Sequence, residues 1–406
     1  MPVRRRNLKK LYPKDMNVRY FLIMAACLAA MMVCAQKRLA VPLTYVPADS
    51  VVTWVGGVAE PRSTALALDP SLRERPLGEV PGRKAFGRLV RHWDDAVAPR
   101  LNLLGGLGHE DAPQVTASAA VLDEAAELLR LTADARYADA LERGLFNLMG
   151  GTAAAPGDMT LEKHVAAQAL VDGMGRMLAT AAGSLYVNFY VNSTTHVHLD
   201  GYDCVVDILT ALPSEGRVRV RLSGFAGHPR HIRLCLRLPG WAVGRTAPSE
   251  GYAAEGGGEW PQPEVRVNGR ELLSSEVVAG YFVIDREWNS GDEALIELPM
   301  EVQRLRRAEG GREVRGAVAL QRGPLVYALS AGHAGCYLSG NEIFAPQADY
   351  GEQGEVVLCG HLRRDAGTPA DSVAPAVSVT AVPYMTAPRT VWILSLIHIS
   401  EPTRPY

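Results

Sequence analysis

The chain has 406 residues, 48% hydrophobic and 21% charged, long enough for roughly two or three domains with large cores. Its 42 Lys and Arg against 44 Asp and Glu leave a formal net charge of −2, which argues against the basic face of a nucleic-acid partner. Arginine far outnumbers lysine, but the arginines are spread through β-patterned segments as solvated strand faces.

At the N-terminus, Arg4, Arg5, Arg6, Lys9 and Lys10 precede a second methionine, Met16. An apolar run from Tyr20 to Val33 then ends at Val33-Cys34-Ala35, before Gln36. A basic region, an apolar region and a small-residue cleavage site make an export signal. The run is shorter than the ~18 apolar residues of a spanning helix. The expectation is a start at Met16, cleavage after Ala35 and a periplasmic or extracellular chain with no integral membrane segment after processing. The alternative is a lipoprotein attached through Cys34, for which Met31-Met32-Val33 is a poor lipobox. Processing would leave Cys204, Cys235, Cys336 and Cys359, which show no CxxC or Cys/His metal spacing. Buried free thiols and a disulfide both stay open.

Residues 36–85 are proline-punctuated and carry no sustained period. From Phe86 the pattern is helical, with Leu89, Val90, Trp93 and Val97 on one face. Leu101 to Gly108, LNLLGGLG, reads as a loop or buried turn. Gly105, Gly106 and Gly108 do not make a phosphate loop, because no Lys-Ser/Thr opens a helix after them. A helix is expected from Val115 to Leu131, and a second from Asp134 as N-cap, stopped by Gly150 and Gly151. Leu161 to Ala182 is read as a third. Helices joined by short turns are αα-hairpins, the units of bundles and helical toroids.

At Leu185 the period changes to two. LYVNFYV, VRVRL, HIRLCLRLPGW, EVRVNGREL and YFVIDREWNSGDEALIELP follow, then several strands after Met300. Many short strands at turn-punctuated spacing mean β-sandwiches. Asn289-Ser290-Gly291-Asp292 reads as the turn of a hairpin over 281–299, and Thr246 to Gln262 as an exposed loop. The sharp change of period makes 185–393 an expected autonomous unit. His196-Val197-His198 places two imidazoles on one strand face, a pair that is structural or a ligand pair.

Eight segments taken in order carry a resemblance: LNLLGGLG (101–108), LTADARYADALERGLFN (131–147), LYVNFYVNS (185–193), LRLPGWA (236–242), VRVNG (265–269), WNSGDEALIELPM (288–300), VALQRGPLVYAL (318–329) and TAVPYMTAPRTVWI (380–393). Together they resemble glycoside hydrolase family 127, typified by β-L-arabinofuranosidases. The resemblance implies an α+β multidomain fold, an (α/α)6-type helical region followed by antiparallel β-sandwich domains. Residues 86–184 would be a partial helical region, 185–305 a sandwich and 306–393 a second one. The stretch 86–182 holds fewer helices than the roughly twelve of a six-hairpin toroid, which marks a truncated or degenerate member. Residues 394–406, LSLIHISEPTRPY, break the pattern and look like a translated sequencing adapter.

The resemblance also implies a glycan substrate, retaining hydrolysis through a covalent intermediate, and a zinc–thiolate device. In that device a Glu-x-Cys and a later Cys-Cys supply the ligands, one cysteine is the nucleophile, and an upstream glutamate is the acid/base. Matched by position, the ligands fall on Gln114 and Thr116, and on Ala169 and Leu170. These residues do not bind zinc, so no cofactor is expected. Glu110 is the carboxylate nearest the acid/base position. His109, Asp111, Gln114, Thr116, Glu162 and His164 are the candidate cleft residues; the alternative is an exposed polar loop around Glu110 and a solvated helix face at Glu162 and His164. A non-catalytic carbohydrate-binding or scaffold protein is the alternative function.

Overall fold

The architecture, a computed structural model, describes residues 44–45, 51–52, 83–155, 157–245, 248–249, 251–255, 260–272, 276–307, 317–329, 336–338, 342–347, 355–364, 376–386 and 391–395. The expected export signal and residues 396–406 lie outside them.

Helix α1 (Arg83–His92) runs on through a π turn, Trp93–Val97, that buries Trp93 and Val97. Trp93 meets the edge of the Tyr137 ring at 5.4 Å between centroids. Helix α2 (Val115–Thr132) buries Val121, Leu122, Ala125, Leu128 and Leu129 of the stripe its period demands, while Thr132, expected on the same stripe, is only half-buried at the last turn. Helix α3 (Ala135–Arg143) is capped by Asp134, whose carboxylate accepts the Arg136 N–H at 3.0 Å. Gly150 and Gly151 do not stop it. The chain continues through a π turn, Gly144–Met149, into a further helical segment, Gly150–Ala154. There the absent side chains allow close packing: a Cβ on Gly151 would stand 3.1 Å from the Tyr384 ring.

Helix α4 (Leu161–Met174) ends well short of Ala182. Leu178–Ala181 is a strand, paired antiparallel with Ser184–Val187 around Ala182 and Gly183. Both turn residues have positive φ, 42° and 74°, which a tight two-residue hairpin requires. Alanine's helix propensity gives way there to tertiary pairing. The described helices are too few for a ring of six hairpins, and none is long and apolar enough to cross a membrane.

The sandwich has two sheets. The six-stranded one runs in the order Thr44–Tyr45, Leu178–Ala181, Ser184–Val187, Arg230–Arg237, Tyr281–Trp288, Glu276–Val278. The seven-stranded one runs Arg270–Glu271, Glu264–Val267, Glu293–Glu297, Arg217–Ser223, Tyr202–Thr210, Ser193–Leu199, Val51–Val52. Leu185, Leu234, Ile284 and Trp288 of the first meet Val197, Val206, Val220 and Ile296 of the second in one core. That core continues without a break into Trp93, Leu122 and Leu141 of the helices. Residues 185–393 are therefore not separate from the helical layer: cutting at Leu185 would remove Leu178–Ala181 from its sheet and open a shared core.

The stretch 281–299 is not a hairpin. Tyr281–Trp288 pairs with Arg230–Arg237 and Glu276–Val278 in one sheet, while Glu293–Glu297 pairs with Arg217–Ser223 and Glu264–Val267 in the other. Asn289 to Asp292 is a corner that carries the chain across the sandwich. Gly291 supplies φ +100°, and its N–H donates to the Leu222 carbonyl at 2.7 Å. Asp292 Oδ2 accepts from the Asn289 N–H and Oδ1 from Asn268 Nδ2, both at 3.0 Å. Burial opposes its charge, but these hydrogen bonds and Arg286 hold the Asp292 carboxyl below its ordinary value. Asp292→Ala is expected to cost about 1–2 kcal/mol at neutral pH in chemical denaturation. Because the folded-state value is depressed, that contribution is complete above the unfolded carboxyl range. It is lost as pH falls through the lower folded value, so the variant and the parent should converge in acid.

The third sheet runs Tyr252–Ala254, Val302–Arg307, Ala317–Arg322, Leu325–Leu329, Ala376–Pro383, Val357–Arg364, Cys336–Leu338, Ile393–Ser395. Ala317 and Val318 also pair with Leu394 and Ile393, which closes its last six strands into a ring around Leu320, Tyr327, Leu358 and Val379. The segment read as an exposed loop, 246–262, thus contributes the edge strand Tyr252–Ala254. Cys204, Cys235, Cys336 and Cys359 are free thiols, the first three buried. Burial pushes Cys204 and Cys235 up to about 11.

Candidate functional site

The loop that follows α1 is organised by Asn102. Its Oδ1 accepts the N–H groups of Leu104 and Gly106, both at 3.0 Å, and its Nδ2 donates to the Gly108 carbonyl at 3.1 Å. A Cβ on Gly106 would overlap Leu148 and Ser118, so the apolar glycine run is a buried turn wedged under α2 and α3. A minimal hairpin, Gly108–His109 with Ala112–Pro113, then turns Glu110 inward and leaves Asp111 exposed.

The Glu110 side chain is 0% exposed. Oε1 accepts from the Tyr252 hydroxyl at 2.8 Å and the Leu103 N–H at 3.3 Å, and Oε2 from Arg307 Nη2 at 2.8 Å. Arg307 also lies over the Trp392 ring, 5.2 Å from its centroid. The buried Trp392 indole N–H has no hydrogen-bond partner among the described residues. Burial by itself would raise the Glu110 carboxyl, but the hydrogen bonds and the Arg307 charge outweigh it and hold the group below its ordinary value. A general acid needs the reverse, a raised value and an open path to the leaving oxygen.

The other sequence candidates are dispersed. His109 Nδ1 lies 3.4 Å from Asp111 Oδ2 at the surface. Gln114 precedes α2 without a side-chain cap bond, and its carbonyl accepts from Ser118. Gln114 and Thr116 are exposed, as is Glu162 in the first turn of α4. His164 Nδ1 sits 2.9 Å from the Thr160 carbonyl. His196 and His198 share the outer face of their strand, where His198 pairs with Asp203 at 2.8 Å. Glu110 is joined by none of the other candidates in a common hydrogen-bond network among the described residues.

What does converge is a set of charges that sequence reasoning missed. Arg237, 0% exposed, lies 2.6 Å from Asp139 and pairs with Glu142. Trp241 Nε1 donates to Glu142 at 2.8 Å and the Gly240 N–H to Asp139 at 3.1 Å. Burial opposes the Arg237 charge, but Glu142 and Asp139 more than offset it and keep the guanidinium ionised. One turn on, Arg143 Nη1 donates to the Leu103 carbonyl and to Gln321 Oε1. Asn147 bridges the Arg143 and Pro324 carbonyls and accepts the Val326 N–H at 2.8 Å. So LNLLGGLG, YADALERGLFN, LRLPGWA and VALQRGPLVYAL meet at one junction of helices, sandwich and third sheet. A charged side chain inside the apolar strand HIRLCLRLPGW was the available signal for Arg237.

Residues 184–300 match the family described as beta-L-arabinofuranosidase, GH127 middle domain. The chain contains a family 127 middle domain. Its fold is shared with a solved GH127 β-arabinofuranosidase at TM-score 0.64 and 22% identity, over 75% of this chain and 55% of that one. A GH127 β-L-arabinofuranosidase from Geobacillus stearothermophilus T6 matches at TM-score 0.58 and 24% identity, with the same coverage. A third structure, titled a glycoside hydrolase, matches at 0.56 and 19%, over 72% of this chain and 54% of that one. The chain thus spans just over half the length of these structures. No curated protein matches it.

The zinc that a family 127 chain implies does not fit the residues present. Gln114 and Thr116 offer only neutral oxygens or an amide, and Ala169 and Leu170 no ligand atom. Among the described residues, no three His, Cys, Asp or Glu side chains are grouped as a metal ion would need.

Proposed function

We propose that the chain is a relative of exported β-L-arabinofuranosidases, of the kind acting on plant-type glycans, in which the family's catalytic device is not assembled. The observation that carries this reading is a family 127 middle domain combined with non-ligand residues at all four matched ligand positions. The basic, apolar and small-residue pattern of residues 4–35 supports export. Retaining hydrolysis needs a nucleophile to hold the sugar and an acid to protonate the departing oxygen. The matched positions provide no nucleophile, and Glu110 is committed as an ionised carboxylate to Tyr252 and Arg307. The test is anomer-resolved product analysis after incubating the full chain with β-L-arabinofuranose oligosaccharides. No free arabinose is expected. Release with retained configuration would show that another nucleophile is at work, and cleavage of an unrelated sugar class alone would sink the family reading.

A further inference from the structure

Among the described residues, strand Tyr252–Ala254 is the outermost of the third sheet, with a partner on one side only: Tyr252, Ala253 and Ala254 pair with Arg307, Arg306 and Leu305. Glu255 adds one bond, its N–H donating to the Arg304 carbonyl at 2.8 Å. Three residues at an edge make a weak ladder by themselves. The added hold comes from elsewhere in the chain. The Tyr252 ring lies parallel to Trp392, 9° between planes and 6.3 Å between centroids, and its hydroxyl reaches Glu110 Oε1. The other Glu110 oxygen accepts from Arg307, the register partner of Tyr252. One buried carboxylate from the helical side therefore holds two neighbouring strands at the same rung. Ser249 Oγ donates to the Leu101 carbonyl at 3.4 Å, a second tie to the same loop.

We propose that Tyr252–Ala254 is a strap latched by Glu110, closed over Trp392 and Arg307 and released from the sheet edge when the latch is broken. Glu110 is then a positioning residue for this strap. The inference stands apart from the catalytic reading, since it requires neither a substrate nor turnover.

Hydrogen exchange read by mass spectrometry on the full chain tests it, comparing the parent with Tyr252→Phe and Glu110→Gln. Tyr252→Phe removes one bond to a charged acceptor and leaves the ring stack. Amides of 252–255 should exchange about tenfold faster in it, and faster still in Glu110→Gln, which also loses the Arg307 charge pair. Amides of 281–288, inside the sandwich, should keep the parent rate in Tyr252→Phe. Unchanged exchange at 252–255 in Tyr252→Phe would overturn the strap. So would acceleration spread equally over 281–288, because the bond would then support the whole fold rather than a local closure. Should Glu110→Gln fail to fold, the Tyr252→Phe comparison decides alone.

Discussion

Purified full-length chain is expected to carry no stoichiometric zinc and to leave a chromogenic β-L-arabinofuranoside intact. Tight zinc binding in a site of the family 127 type depends on thiolates, and a thiolate is also its nucleophile. Gln114 and Thr116 are solvent-facing at the start of α2, and Ala169 and Leu170 stand on α4 with no atom to coordinate a metal. Loss of an activated nucleophile costs about a millionfold in other hydrolases. General acid catalysis alone returns roughly 10²–10⁴-fold, and Glu110 is poorly suited even to that, hidden and held ionised by its hydrogen bonds and by Arg307. Metal analysis and a chromogenic assay read both halves of the prediction. Zinc near one per chain, or turnover abolished by Glu110→Gln, would mean that a different constellation carries the chemistry.

Arg237→Ala should be the most destabilising single change at the junction, by about 3–5 kcal/mol in urea denaturation. The loss arises less from the bond removed than from what it weakens: Glu142, 4% exposed, and Asp139, 27% exposed, would lose their ion-paired guanidinium and keep only the charges of Arg143 and Arg245 nearby. Against a typical total of about 5–15 kcal/mol, that is a large fraction of the fold's stability. Glu142→Gln keeps an acceptor for Trp241 while removing one charge. The double variant Arg237→Ala/Glu142→Gln should therefore cost less than the sum of the singles, by roughly 1–3 kcal/mol. Strict additivity would show that the Arg237–Glu142 pair carries no mutual stabilisation.

The sequence by itself determined the local elements wherever one period ran uninterrupted. The α2 stripe, the Asp134 cap and the alternation of Arg217–Ser223 follow from side chains that repeat at 3.6 or at 2, and the structure shows each of them. Four of the eight segments that carry the resemblance were equally legible as strings, each with its own local pattern, and they turn out to be contact residues of one junction. Only the tertiary structure decided where those elements go. Nothing between Trp288 and Glu293 distinguishes a hairpin from a corner: both need Gly291 at positive φ and an Asn/Asp cluster, and the choice lies in which strands wait on either side. Ala-rich 161–182 is helical by propensity, yet Leu178–Ala181 pairs with Ser184–Val187 because a sheet edge is available to it. Glu110 is the sharpest case. Its neighbours in sequence, His109 and Asp111, make it look like part of a polar surface loop. Its partners in space come from 142 and 197 residues away, and Tyr252 and Arg307 turn a candidate acid into a buried, ionised anchor.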